Sequence, residues 1–169
     1  MEFVVLGWPP DGPTLELDYR QFSYAGKFVM SSTGKAVARA DGDVLAASAF
    51  NADRTDDGTL WIRYVTVRDD RRGEGIGPRL LRLTADRART RGYESVRIPV
   101  NNPFAYQAAY RAGFEFTGEE TGIAELVCSY APDASRATAT YQDGLDVYRD
   151  RDLKETEDSF LSDRQHRGP

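Results

Sequence analysis

Apolar and polar positions along the chain fall into two rhythms. Apolar runs at 36–38 and 44–50 flank Asp41-Gly42-Asp43, which predicts a β-hairpin closed by a tight Asp-Gly turn. A polar loop over 53–58 follows, and residues 60–67 are rich in branched and aromatic side chains, as in a long strand. From about 78 to 91 the spacing becomes helical. Ile76, Leu80, Leu83, Thr84 and Ala88 share an inner face, Arg79, Arg82, Asp86 and Arg89 form the outer stripe, and Gly92 supplies the C-cap. Residues 95–100 read as another strand. Asn102 then caps a helix with Pro103 in its first position, which runs to about Ala112 before Gly113-Phe114. Residues 115–117 and 125–130 make a final pair of strands, and Phe3-Val4-Val5-Leu6 makes a first one. Between them, Trp8-Pro9-Pro10-Asp11-Gly12-Pro13 is loop chemistry, and the irregular apolar spacing over 15–30 predicts one or two short helices.

After Pro132 the pattern changes. Residues 131–169 carry 6 basic and 9 acidic side chains, and Leu153, Phe160 and Leu161 fall on one face of a short acidic helix. The expected organisation is therefore a domain over 1–132 and an acidic extension over 133–169, docked or partly disordered.

Composition narrows the chemistry. The chain has 169 residues, 40% of them hydrophobic, with 8 Phe, 9 Tyr and 2 Trp, enough for a packed core. Its net charge of −5 gives no general attraction to nucleic acid or anionic lipid. One Cys, Cys128, cannot close an intramolecular disulfide, which fits a reducing cytoplasm. One His, His166, lies three residues from the end, so the body holds neither a Ser-His-Asp triad nor a His/Cys metal cluster. No apolar run reaches the roughly 18 residues of a membrane span, and Met1-Glu2-Phe3 opens no signal peptide. The expected location is the cytoplasm, with no metal, no membrane and no nucleic acid as partners.

One segment stands against the overall charge. Residues 71–91 contain seven Arg against Glu74 and Asp86. Glycines at 73, 75 and 77 sit between the strand ending at Val67 and the following helix. Without Cβ atoms, such a backbone can turn successive N–H groups toward one point, which the helix N-terminus makes more positive. This is a phosphate cradle, or else a glycine-rich turn with exposed arginines. A nucleotide-hydrolysing loop would need Gly-x-x-x-x-Gly-Lys-Ser/Thr, and no Lys lies here. A dinucleotide fingerprint would need Gly-x-Gly-x-x-Gly, whereas the spacing is Gly-x-Gly-x-Gly. The arginine stripe is a poor DNA contact, since Asp86 lies between Arg82 and Arg89 and forms helical ion pairs.

Arg72-Gly73-Glu74-Gly75-Ile76-Gly77 resembles the Arg/Gln-x-x-Gly-x-Gly/Ala motif of the GNAT superfamily of acetyl-coenzyme A-dependent N-acetyltransferases. A second match, Asn102-Pro103-x-Ala105, then seven residues, then Gly113-Phe114, has the order and spacing of that family, and the resemblance covers about 35–130. It implies an α/β (α+β) fold with a mixed, largely antiparallel twisted sheet, flanked by helices, whose fourth and fifth strands splay apart. It also implies acetyl-CoA as acyl donor, with the main chain around Val65 and Val67 pairing with the pantetheine. Arg72, Gly73, Gly75, Ile76 and Gly77 would surround the pyrophosphate, and Asn102 would lie beside the pantetheine arm. Transfer in this family is direct from thioester to amine, so no nucleophilic Ser or Cys is required.

The chain departs from the family at the proton-transfer groups. Many members place a Tyr four residues before the Gly-Phe pair as the acid, and here that position is Ala109. Tyr106 and Tyr110 flank it and are the candidate catalytic residues, with Tyr106 nearer in angle; each is also compatible with plain packing. A carboxylate base on the fourth strand would fall near Trp61, which cannot serve. The acceptor is an amine of a small molecule or a protein terminus. A non-catalytic acyl-CoA-binding module and an interaction protein stay open as alternatives, and so does association, a homodimer included.

Overall fold

The structure is a computed structural model that describes residues 1–133 and 138–169. The chain divides into two compact units, 1–96 and 97–169.

The first unit carries β1 (Glu2–Gly7), β2 (Gly34–Ala40), β3 (Asp43–Ala52) and β4 (Thr59–Val67), each antiparallel to the next. The β2–β3 hairpin turns where expected. Asp41 (φ 53°) and Gly42 (φ 83°) both lie in the left-handed region, which a two-residue turn requires if it is to match strand twist. The pairing of β3 with β4 slips at one place: Ala49 faces Tyr64 but Phe50 faces Ile62, so Arg63 is an extra residue in β4. Beyond this bulge the two faces of the β3–β4 pair have different neighbours. Tyr64 packs against Phe28, Val37, Ala47 and Ala49. On the other face, the Ser48 hydroxyl meets that of Thr84 at 3.0 Å, on helix α1 (Ile76–Arg91).

Helix α1 begins two residues earlier than its spacing suggests, with Pro78 inside its first turn. Proline is tolerated there because the first-turn N–H groups have no intrahelical acceptor. Its end is the expected one: Gly92, at φ 114°, donates its N–H to the carbonyls of Ala88 and Arg89. Residues 15–30 hold less helix than the sequence suggests, a single 3-10 turn at Ala25–Val29. Tertiary contacts shape this stretch instead. Phe22, Ala25 and Phe28 are buried, and the Leu15 N–H bonds to the Phe28 carbonyl. Lys35 is fully buried, and among the described residues it forms no ion pair with a carboxylate. Its ammonium donates to the Met30 carbonyl (2.7 Å), the Thr33 carbonyl (2.9 Å) and the Thr33 hydroxyl (2.7 Å).

Strand β5 (Ser95–Val100) crosses the boundary between units. In the second unit it pairs antiparallel with β7 (Leu126–Tyr130), which pairs antiparallel with β6 (Phe114–Glu120). The helices are α2 (Pro103–Ala112), α3 (Thr138–Arg149) and α4 (Glu155–Asp163). Where the sequence predicts one tail helix, the structure has two. Tyr141, Leu145 and Tyr148 of α3 are buried at spacings of four and three. Leu161 of α4 is buried too, and Phe160 meets Phe104 of α2 edge-on at 4.6 Å. Residues 138–169 thus complete the core of the second unit. Among the described residues, seven strands and four α-helices make the mixed, largely antiparallel α/β class that the resemblance implies. Among the described residues, no helix is long and apolar enough to cross a membrane.

Candidate functional site

The end of β4 delivers the chain into a short 3-10 turn at Asp69–Arg71 and then into the glycine stretch. Gly73 and Gly75 have φ of +81° and +80°, a conformation that costs side-chain-bearing residues about 1–2 kcal/mol. Gly75 is the N-cap of α1 and offers no side chain, so the first turn is capped by nothing of its own. Among the described residues, the main-chain N–H groups of 73 through 77 donate no hydrogen bond. Five consecutive donors at a helix N-terminus form an electropositive concavity suited to an anion. A Cβ at Gly77 would meet a methyl of Val67 at ordinary van der Waals distance, 3.4 Å. Ile76 and Gly77 are buried and anchor the turn, while Val65 and Val67 are half-buried.

The arginines around this turn are less free than the sequence suggests. Arg71 pairs with Glu74 at 2.9 Å, and Arg72 with Asp69 at 2.8 Å and the Ser23 hydroxyl at 3.1 Å. Arg68 pairs with Asp70 at 2.6 Å. Glu74 raises the Arg71 pKa, and the Arg68 guanidinium lowers that of Asp70. The positive character of the turn therefore rests on its main-chain donors and on α1 more than on these side chains. On α1 itself, Arg79 lies 4.5 Å over the Phe3 ring, Arg91 lies 4.8 Å over Trp8, and Arg82 meets Asp86 at 4.0 Å, the helical pair expected from the sequence.

The acidic loop before β4 proves to be turn chemistry at two of its positions. Asp56 accepts from the Gly58 N–H and the Thr59 hydroxyl. Asp53 accepts from the Thr55 N–H and, at 2.7 Å, from the Trp61 indole, and these donors hold its carboxyl down at about 2. The sequence pattern had not linked Asp53 to Trp61; their eight-residue separation across a hairpin is the only signal that could have.

In the second unit, Asn102 caps α2 as expected. Its Oδ1 accepts from the Ala105 N–H at 2.9 Å, and its Nδ2 donates to Asn101. Tyr106 and Tyr110 are both fully buried, their rings 4.9 Å apart. The Tyr106 hydroxyl donates to the carbonyls of Thr140 (3.2 Å) and Tyr141 (3.1 Å), and burial pushes its pKa far above the usual phenol value. The Tyr110 hydroxyl accepts from the Phe116 N–H at 2.9 Å. Both candidate acids are thus turned into the core of their unit. Cys128 is buried as well, its thiol pushed up to about 12 by burial, whereas His166 is exposed.

The family model described as the GNAT acetyltransferase family matches residues 4–114 of this chain. No curated protein sequence matches it. Among solved structures, nourseothricin acetyltransferase is similar with a TM-score of 0.52 and 19% identity, covering 76% of this chain and 96% of that one. The Salmonella typhimurium protein yncA, solved with its cofactor acetyl-CoA, is similar with a TM-score of 0.51 and 21% identity, covering 62% and 68%. A ribosomal-protein-alanine N-acetyltransferase from Brucella melitensis is similar with a TM-score of 0.51 and 20% identity, covering 59% and 68%. At these identities the likeness is one of fold.

Proposed function

The chain belongs to the GNAT acetyltransferase family, and on that premise we propose that it transfers the acetyl group of acetyl-CoA directly to an amine. The observation that carries this reading is the run of unpaired main-chain N–H groups at 73–77, set between β4 and the N-terminus of α1. They suit a pyrophosphate, whose oxygens each accept several hydrogen bonds. The main chain at Val65 and Val67 would pair with the pantetheine as an added strand does.

Bound there, acetyl-CoA supplies an already activated acyl group, so the chain's lack of a triad and of a reactive thiol is compatible with the reaction. The amine nitrogen attacks the thioester carbonyl, the carbon–sulfur bond breaks, and the nitrogen proton leaves to base or water while the sulfur departs as CoA thiol. Cys128 cannot compete as a nucleophile from its buried position.

The test is direct. Acetyl-CoA and CoA should each raise the melting temperature of the chain, and Gly75→Val should abolish most of that rise. Release of free thiol on adding a primary-amine panel, small amines and peptide N-termini together, then reports transfer; the buried Cys128 contributes no background. If neither form of the cofactor shifts the melting curve, the proposal falls. Binding without thiol release across the panel would favour an acyl-CoA-binding module, a reading supported by the two inward-facing tyrosines.

A further inference from the structure

Large apolar side chains left in water are not scattered evenly over the surface. Of the eight that stand exposed among the described residues, four, Tyr19, Tyr24, Val29 and Met30, come from 19–30. Such clustering marks an interaction surface rather than the ordinary scatter of apolar groups. Tyr24 is its most constrained member. Its backbone lies at φ 60° and ψ 20°, a left-handed conformation that is an outlier for a bulky residue. Phe22 and Ala25, close on either side, are buried and pull the chain inward. The Tyr24 ring stays outside and leans on Tyr64, the centroids 5.8 Å apart. Backbone strain of this kind collects at ligand clamps.

Tyr64 places this patch beside the expected donor. It precedes Val65 on β4 and faces away from α1, against Phe28, Val37, Ala47 and Ala49. The stretch that carries Tyr24 is fastened to the end of the same strand. The Asp69 N–H donates to the Gln21 carbonyl at 2.9 Å, and Arg72 of the glycine turn donates to the Ser23 hydroxyl at 3.1 Å. The aromatic face and the glycine turn thus belong to one framework within the first unit. A charge completes the face. The Lys27 ammonium is exposed, lies 5.7 Å over the Tyr64 ring, and among the described residues is paired with no carboxylate. Tyr24, Ala25, Gly26 and Lys27 line a shallow hollow at this place. Aromatic rings and a cation on one open hollow suit a molecule with a planar apolar body and a carboxylate. A simple ammonium would meet only repulsion from Lys27.

Resting on the acetyl-transfer reading, we propose that Tyr24, Tyr64 and Lys27 select the acceptor, and that the acceptor is an amino acid with an aromatic side chain. Its ring stacks on the two tyrosines, its carboxylate meets Lys27, and its α-amine is presented toward Val65. The neutral amine attacks the thioester carbonyl and the carbon–sulfur bond breaks. The N-acetylated amino acid and CoA thiol leave, the amine proton having passed to water or a base.

Thiol release by the full chain with acetyl-CoA is compared for L-phenylalanine, for phenethylamine, which lacks the carboxylate, and for L-alanine, which lacks the ring. Phenylalanine should exceed each of the others by about tenfold in kcat/KM. Lys27→Met should bring the phenylalanine-to-phenethylamine ratio to about one. Tyr24→Gly should do the same for the phenylalanine-to-alanine ratio, and glycine is at home at φ 60°, which guards the fold of that variant. Both variants should keep the rise in melting temperature that acetyl-CoA produces, which separates lost selectivity from lost folding or lost donor binding. Should either lose that rise, the ratio measured for the other decides. Equal rates for the three acceptors, a preference that survives both substitutions, or no phenylalanine turnover by a chain that binds acetyl-CoA would overturn the acceptor assignment while leaving donor binding untouched. Thiol release without added acceptor, with the acetyl group found on Lys27 by mass mapping, would overturn it too, since Lys27 would then be the acceptor itself. No melting shift with acetyl-CoA would bring down the acetyl-transfer reading and the assignment together.

Discussion

Tyr106 looks from the sequence like an acid and in the fold is a strut. Its hydroxyl proton goes to main-chain carbonyls of α3, and its ring stacks on Tyr141 at 5.6 Å. Tyr106→Phe should therefore lower stability by about 1 kcal/mol, the net value of a buried hydrogen bond, while leaving turnover within a few-fold of wild type. Denaturant unfolding and thiol release on the same preparation check both halves, and a large loss of turnover at unchanged stability would restore Tyr106 to the chemistry. Asn102 was legible because a cap acts on its own helix, three residues away. The burial of Tyr106 was not, because its partners Thr140 and Tyr141 lie more than thirty residues on, past the region the resemblance covers. The same holds for Asp53 and Trp61, which local pattern treats as loop and strand and which the hairpin joins.

Elements with their own punctuation were the easiest to foresee. The hairpin carries Asp41-Gly42, α1 ends on Gly92 and α2 on Gly113, and each glycine or turn residue adopts the positive φ that its position demands. Residues 15–30 have no such marks, and their 3-10 turn owes its shape to Phe22, Ala25 and Phe28 entering the core. Helix α3 was missed for a related reason: Gly144 in its middle weakens the helical signal. The structure explains that glycine. A Cβ at position 144 would run into the hydroxyl and ring of Tyr106, so only the smallest residue lets α2 and α3 approach. Gly144→Ala should destabilise the protein by about 1–3 kcal/mol through this overpacking, even though alanine favours an isolated helix by about 1 kcal/mol. Chemical denaturation measures the difference, and a stabilised variant would mean that α3 shifts freely on α2.

At the scale of the whole molecule, the family match ends at 114 while the second unit runs to 169. The charge balance of the sequence is also redistributed: the arginines flanking the glycine turn are largely paired. The chain has only three lysines, Lys27, Lys35 and Lys154, and Lys35 is enclosed by three oxygen acceptors. Burial lowers its pKa, so below its usual 10.5 the enclosed ammonium costs stability that is regained as pH rises through the lowered value. An amine-acylating reagent applied to the native protein should therefore modify Lys27 and Lys154 within minutes and spare Lys35, as peptide mass mapping would reveal. Prompt acylation of Lys35 would mean that the enclosure is not kept. Where it is kept, this one amine becomes a clock on opening of the 30–35 region: the rate at which mass accumulates there counts how often the folded chain lets go of that corner.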